Sequence, residues 1–225
     1  MTKFFLIRHG ETEFTGQLLV GRKPGVNLND LGRRQATLLA DKLASAGITR
    51  IFTSPLERAI QTAAPLAFRL GLQIQSCEAF NELDFGDWTG RKFGELESLD
   101  TWRQWNSYRA GHRAPNGETM LEVQARFVLE LQRLRRDLRD ERIAVVSHGD
   151  PLRSALIYYL GMPMDNFLRL EISTASFSML SLNDWGAEVR GLNIRVDQGA
   201  EAKNLYTVKD RAANVLAPDD APRGG

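Results

Sequence analysis

Cysteine is all but missing from this chain of 225 residues, with Cys77 the single example. One cysteine excludes an internal disulfide and a cysteine-based metal cluster, and it suits a reducing compartment. Cys77 itself reads as a small buried hydrophobe. A surplus of one charge is missing too: 29 basic residues face 28 acidic ones, a formal net charge of +1. The chain therefore has no global field that would recruit nucleic acid or an anionic membrane surface. Long apolar runs are lacking as well. The opening FFLI is too short for a signal-peptide core and runs into Arg8, and no stretch approaches a transmembrane span. These absences lead us to expect a cytoplasmic protein with neither nucleic acid nor membrane as partner. The oligomeric state stays open, a dimer included. With 43% hydrophobic residues the chain can bury one sizeable core. We expect one domain over residues 1–199, followed by a polar tail over 200–225 that has no periodic pattern and is expected to be mobile.

What is present is organised around the first fifteen residues. KFFLI, residues 3–7, is an apolar run of strand length, and it leads into Arg8, His9, Gly10, Glu11 and Thr12. An aromatic and β-branched run that ends at a glycine reads as a buried strand delivering its last side chains to a sheet edge. In open α/β sheets the crevice outside the carboxyl ends of the strands is the recurrent ligand site, so Arg8 and His9 stand where chemistry takes place. A lone histidine there would read as a satisfied hydrogen-bonding group. The arginine beside it shifts the reading toward function, and Gly10 lets another group approach the backbone closely.

Further along, loop 16–27 contains Gly21 and Arg22, the arginine a candidate phosphate contact. Asn29 reads as the N-cap of a helix carrying Gly32, Ala36, Leu39, Leu43 and Ala46 on one face until Gly47 stops it. A second strand over Arg50–Thr53 meets SPLERAIQT, residues 54–62, with Ser54 as N-cap and Pro55 as the first helical residue. The stripe of that helix is Leu56, Ile60, Ala63, Ala67 and Leu70, and Arg58 falls off it, in the first turn. A cation near a helix N-terminus is unfavourable by a few tenths of a kcal/mol, so we expect Arg58 to be there to hold an anion. A third strand over 72–77 leads into the turn-rich loop 81–90, which opens with Glu82. Segment 94–110 is irregularly helical and 111–119 is a breaker stretch. Arg91, Lys92, Arg103, Arg109, His112 and Arg113 make this region locally basic and the best placed to act as a lid. A long amphipathic helix over 121–138 precedes an apolar strand over 143–147. That strand ends in His148 and Gly149, with Asp150 as N-cap and Pro151 as the first helical residue of the next helix. A strand ending in His-Gly therefore occurs twice, which suggests two histidines meeting at neighbouring strand ends. Further strands near 167–172, 176–182 and 188–194 complete the sheet. The alternation reads as an α/β fold: a three-layer sandwich with a mostly parallel central sheet and helices on both faces.

The pentad Arg8 to Thr12 resembles the signature of the histidine phosphatase (phosphoglycerate mutase-like) superfamily. So do Ser54-Pro55 with Arg58 three residues after the proline, Glu82 ahead of a Gly and aromatic pair, and the His148-Gly149 strand end. The similarity spans roughly residues 3 to 195. It implies that His9 accepts a phosphoryl group, that Arg8, Arg58 and His148 bind the phosphate, and that Glu82 is the proton donor, with no metal and no cofactor. Phosphoryl transfer needs an in-line nucleophile, positive charge around the equatorial oxygens and an acid for the leaving oxygen, and each role has a residue here. Thr15 departs from the pattern, which commonly has Asn six residues after the histidine. Thr15, Gly21 and Arg22 are expected as substrate contacts.

The expected activity is a phosphomonoester hydrolase acting through phosphohistidine on a small phosphorylated metabolite. The alternative is a phosphoglycerate mutase-type phosphotransferase. Relatives of the mutase type carry a longer insertion in segment 89–120, and the short APNGET form here favours the phosphatase. A catalytically dead binding protein would have lost a core residue, and none is lost. A metal hydrolase using His9, Glu82 and His148 would set its cation beside two arginines that repel it.

Overall fold

The first strand, β1 (Thr2–Arg8), is buried on both faces because its side chains alternate between two cores. Phe4 and Leu6 point into one cluster, Phe5 and Ile7 into another. Each such side chain contributes about 1.5–3 kcal/mol by leaving water. The computed structural model describes residues 1–196, so the tail expected over 200–225 lies outside the described residues.

The remaining strands are β2 (Arg50–Thr53), β3 (Ile74–Ser76), β4 (Arg142–Ser147), β5 (Phe177–Leu182) and β6 (Ala187–Ile194). They form one sheet in the order β3-β2-β4-β1-β5-β6. The pairs β3–β2, β2–β4 and β4–β1 are parallel, while β5 runs antiparallel to β1 and β6 antiparallel to β5. The sheet is thus mostly parallel, as the alternation implied. Helices α1 (Asp30–Leu43) and α2 (Glu57–Leu70) supply Leu39, Leu43, Ala63 and Leu66 to the cluster that holds Phe5 and Ile7. On the opposite face α5 (Met120–Asp137) and α6 (Gly149–Tyr159) supply Phe127, Leu131, Leu152 and Leu156 to the cluster that holds Phe4 and Leu6. Two short helices, α3 (Phe93–Glu97) and α4 (Asp100–Ser107), pack Leu96 and Trp105 with Trp88, Phe85 and Phe167 in a third cluster. Among the described residues no helix is long and apolar enough to cross a membrane.

Caps explain two helix starts. Asn29 accepts from the Gly32 amide at 2.8 Å. Thr119 and Glu122 form a reciprocal capping box at the start of α5. Helix α1 lies so close to the first strand end that a Cβ on Gly10 would stand 2.8 Å from the Gly32 carbonyl oxygen, which accounts for both glycines.

Several local expectations are corrected. Helix α2 begins at Glu57 with Leu56 as cap, because the Ser54 amide still pairs with the Val146 carbonyl and so prolongs β2. Of the expected stripe Leu56, Ala63 and Ala67 are buried while Ile60 is 37% exposed, and Arg58, Ala59, Thr62 and Leu66 are buried beside them. Helix α1 ends at Leu43, before Gly47, and β3 is shorter than the expected 72–77. His148, not Asp150, holds the cap position of α6, while Asp150 pairs with Arg153 at 3.2 Å. Residues Met164–Arg169 form a 3-10 helix opened by Pro163 where a strand was expected over 167–172.

Candidate active site

The site lies where β1, β2 and β4 end. Because Arg8 is in register with Ser147, and the His9 amide continues the ladder to the Ser147 carbonyl, the two His-Gly ends stand side by side. Their rings are 5.2 Å apart between centroids. Arg8, His9, Thr15, Gly21, Arg58 and Glu82 line one cavity of about 150 Å³, with Phe14, Phe85 and Phe93 among its apolar walls. His148 is fully buried behind it, and Gly149 and Asp150 reach the cavity surface.

Each histidine is pinned through a different ring nitrogen. His9 Nδ1–H donates to the Gly10 carbonyl at 2.7 Å, which places its proton there and leaves the lone pair on Nε2. The Arg58 Nε–H donates to that Nε2 at 3.3 Å, and Arg58 Nη2 donates to the Gly21 carbonyl at 2.8 Å. In His148 it is Nε2 that is held, 2.7 Å from the Ser54 hydroxyl. Its buried Nδ1 has no hydrogen-bond partner among the described residues and stands 4.0 Å from Glu82 Oε2. Arg8 Nη1 donates to the Ile172 carbonyl at 2.6 Å. Arg8 Nε and Arg58 Nη1 are likewise buried without a partner among the described residues. Unspent donors on two guanidinium groups at one cavity, with an unpartnered imidazole nitrogen buried behind it, suit a tetrahedral oxyanion.

The electrostatics follow from burial. Burial, then the charges of Arg58 and Arg8, holds His9 well below its ordinary value, so the ring is neutral at neutral pH. His148 is lowered in the same way, by burial, then by Arg58, His9 and Arg8. Burial, then the carboxylate of Asp150, raises Glu82 to about 7 against the pull of Arg58 and Arg8. A neutral imidazole nitrogen and a carboxyl that still holds its proton near neutrality thereby line the same arginine-bearing cavity.

Thr15 and Gly21 border the cavity, Thr15 through a hydroxyl that accepts from the Thr12 amide at 3.0 Å. Arg22 is turned away from it and bonds the Glu82 carbonyl and Glu118, each at 2.8 Å. The basic segment expected as a lid does not present its charge: of residues 91–119 only Phe93 lines the cavity. Arg109 is 5% exposed, its guanidinium over the rings of Trp105 and Phe167, 3.5 Å from Asp150. Arg113 pairs with Glu122. Residues that sequence reasoning missed are Ser54 as the partner of His148, Asp150 as a cavity residue, and Glu118 and Arg126 behind Glu82. Arg126 offered one signal, an arginine three residues after Val123 on the buried side of an amphipathic helix.

With this geometry in hand, the comparisons with known proteins are decisive for the family. The model of the histidine phosphatase superfamily (branch 1) matches residues 4–195. The chain belongs to that superfamily. It is 28% identical over 204 residues to phosphoserine phosphatase 1 of Hydrogenobacter thermophilus, covering 88% of this chain and 95% of that one. It is 32% identical over 212 residues to the Yersinia enterocolitica protein named "Probable phosphoglycerate mutase GpmB", covering 89% and 97%. Among solved structures, mycobacterial glucosyl-3-phosphoglycerate phosphatase in complex with VO3 superposes with a TM-score of 0.77 at 26% identity, over 85% of this chain and 98% of that one. Bacillus stearothermophilus YhfR, at 23% identity and a TM-score of 0.79, adds support for the fold.

Proposed function

We propose that this histidine phosphatase superfamily member is a phosphomonoester hydrolase that works through a covalent phosphohistidine at His9, without a metal, on a small phosphorylated metabolite. The observation that carries the reading is the His9 ring: its Nδ1 proton is committed to Gly10, so the Nε2 lone pair faces Arg58 at the cavity. In the first half-reaction Nε2 attacks phosphorus, the P–O ester bond breaks, and the Glu82 carboxyl passes its proton to the leaving oxygen. In the second, water attacks phosphorus, Glu82 takes its proton, and the P–N bond breaks to release phosphate and neutral His9. Arg8, Arg58 and a His148 Nδ1–H hold the three equatorial oxygens. In this reading the Ser54 hydroxyl, which accepts from the Leu56 amide at 3.3 Å, gives its proton to His148 Nε2, and Nδ1 keeps its own. Thr15 and Gly21 meet the leaving group.

A mutase reading shares the site and differs only in what accepts the phosphoryl group; similarity to the Yersinia protein favours it. The relatives' names support phosphatase chemistry more broadly. One experiment tests the proposal. Rapid quench with labelled substrate, in EDTA, should trap acid-labile phosphate on the protein and release inorganic phosphate at an unchanged rate. Acid-stable label on serine, or activity lost to EDTA and restored by a divalent ion, would refute it. Transfer of label to an added phosphoglycerate in preference to water would favour the mutase.

A further inference from the structure

Glu82 stands on a loop, outside any helix or strand, just after a 3-10 turn over Glu78–Phe80. A carboxyl that must meet a leaving oxygen within about 2.6–3.2 Å needs its backbone held still. The structure shows how. Arg22 Nε and Arg126 Nη2 both donate to the Glu82 carbonyl, at 2.8 and 3.0 Å. Arg126 Nη1 reaches back to the carbonyls of Ala79 and Asn81, each at 2.8 Å, so one guanidinium spans the whole turn. The Glu82 amide donates to Asn81 Oδ1 at 2.9 Å.

The two arginines are themselves tied together. Glu118 accepts from Arg22 at 2.8 Å and from Arg126 Nε and Nη2 at 3.1 Å each, and its Oε2 also accepts from the Asp84 amide at 3.0 Å. Its own amide donates to the Asp84 carbonyl at 2.8 Å. A Cβ on Gly117 would collide with that same carbonyl, and one on Gly86 with the Pro115 carbonyl, so the 111–119 stretch and the 81–90 loop touch backbone to backbone. Glu118 immediately precedes Thr119, the N-cap of α5, and Arg126 lies on α5 beside the buried Phe127. Rigidity of that helix is thus passed to the loop. Neither Arg22, Glu118 nor Arg126 lines the cavity.

We infer that Arg126, Glu118 and Arg22 are positioning residues that hold Glu82 at proton-transfer distance from the leaving oxygen. A scaffold role alone would anchor the loop anywhere along its length, whereas here two guanidinium groups converge on the carbonyl of the one residue that carries the proton. The inference rests on the reading of Glu82 as general acid.

The test uses Glu118→Gln and Arg126→Met, with Arg126→Lys as the conservative variant and Glu82→Gln as the reference. Single-turnover phosphorylation is measured with glycerol 2-phosphate, whose alkoxide must be protonated as it leaves, and with p-nitrophenyl phosphate, whose phenolate needs no acid. Displacement of a reacting group by about 1 Å costs about 10²-fold, so the glycerol ester should lose about 10- to 100-fold in Glu118→Gln and Arg126→Met and less in Arg126→Lys. The nitrophenyl ester should stay within about threefold, because only proton delivery is disturbed. Combining Arg126→Met with Glu82→Gln should cost the glycerol ester no more than Glu82→Gln alone. Equal losses on both esters, or additive losses in the double variant, would overturn the positioning role while leaving Glu82 as the acid. If Glu82→Gln itself shows no dependence on the leaving group, the acid assignment falls and the positioning role falls with it. Should Arg126→Met fail to fold, Glu118→Gln, which keeps the side chain's shape, decides the matter.

Discussion

The two His-Gly strand ends read alike in sequence and are wired oppositely. His9 is held by Nδ1 on the carbonyl of its own neighbour, Gly10, whereas His148 is held by Nε2 on the Ser54 hydroxyl, 94 positions away in sequence. His9 lines the cavity; His148 is fully buried behind it. Both lie beside the same arginines, and burial and those charges keep both rings below their ordinary value. What divides them chemically is what the ring's partner does: a carbonyl at Nδ1 takes that proton and leaves a lone pair on Nε2, whereas a hydroxyl that donates to Nε2 leaves the proton on Nδ1.

The largest effect should come from removing each ring in turn. His9→Ala deletes the nucleophile and should reduce turnover by about 10⁴-fold or more, whereas His148→Ala deletes one oxyanion donor, worth about 10²–10³-fold. Steady-state assays with p-nitrophenyl phosphate, with trapped phosphoprotein measured alongside, check both. Equal losses, or trapped label persisting in His9→Ala, would break the comparison. Next in size is pH. Glu82, raised to about 7, carries the proton below that value, so phosphorylation by an alkyl ester should fall about tenfold per unit above about pH 7. The nitrophenyl ester should show no such limb in single-turnover rates; a shared limb would assign the titration to another group.

Ser54→Ala sharpens the comparison from the other side. Without the hydroxyl, His148 Nε2 loses its partner and the proton is free to leave Nδ1, which should cost about tenfold in phosphorylation, within the range for a neutral hydrogen bond of 0.5–1.5 kcal/mol and its desolvated remainder. Ser54→Thr should restore it. Nitrogen-15 chemical shifts of His148 read the tautomer directly, and an unchanged Nδ1–H form in Ser54→Ala would sink the assignment. The smallest effect is on stability. Two histidines with lowered folded values refuse protons that the unfolded chain accepts, so each stabilises above pH 6.5 and is a liability below it, by up to about 1.4 kcal/mol per pH unit. Glu82 works the other way: raised when folded, it favours the folded state below its unfolded value and loses that contribution as pH rises toward 7. The net is one proton, so the melting temperature should fall between pH 6.5 and 5, and His148→Gln should flatten that slope. A slope unchanged in His148→Gln would show that the buried ring is not refusing the proton.

Much of this was legible because strand ends and caps are local events. The apolar runs of residues 3–7 and before Ser147 placed β1 and β4, and Asn29 marked α1. Arg8, His9, Arg58 and Glu82 each sit at a boundary that local signals find, and the structure brings all four to one cavity. What stayed hidden depends on contacts between distant segments. Ser54 looks like a cap until His148 claims it, and Arg109 looks like a lid charge until Trp105, Phe167 and Asp150 enclose it. Arg126 meets Glu82 across 44 positions. Near Met164–Arg169 the apolar residues are too few to choose between a strand and a 3-10 turn, and Pro163 tips the balance.

The place of β1 in the sheet also bears on how the chain acquires its fold. β1 precedes the other strands of the sheet in sequence, yet its neighbours are residues 142–147 and 177–182. Pairings over such separations demand that long loops close first, and they are slow for that reason. During synthesis the edges of this strand must therefore wait: β4 closes one, and the other stays open until the chain through Leu182 has emerged. A truncation that stops before Phe177 leaves an edge of β1 open, exposing a row of amides and carbonyls to pairing with other chains.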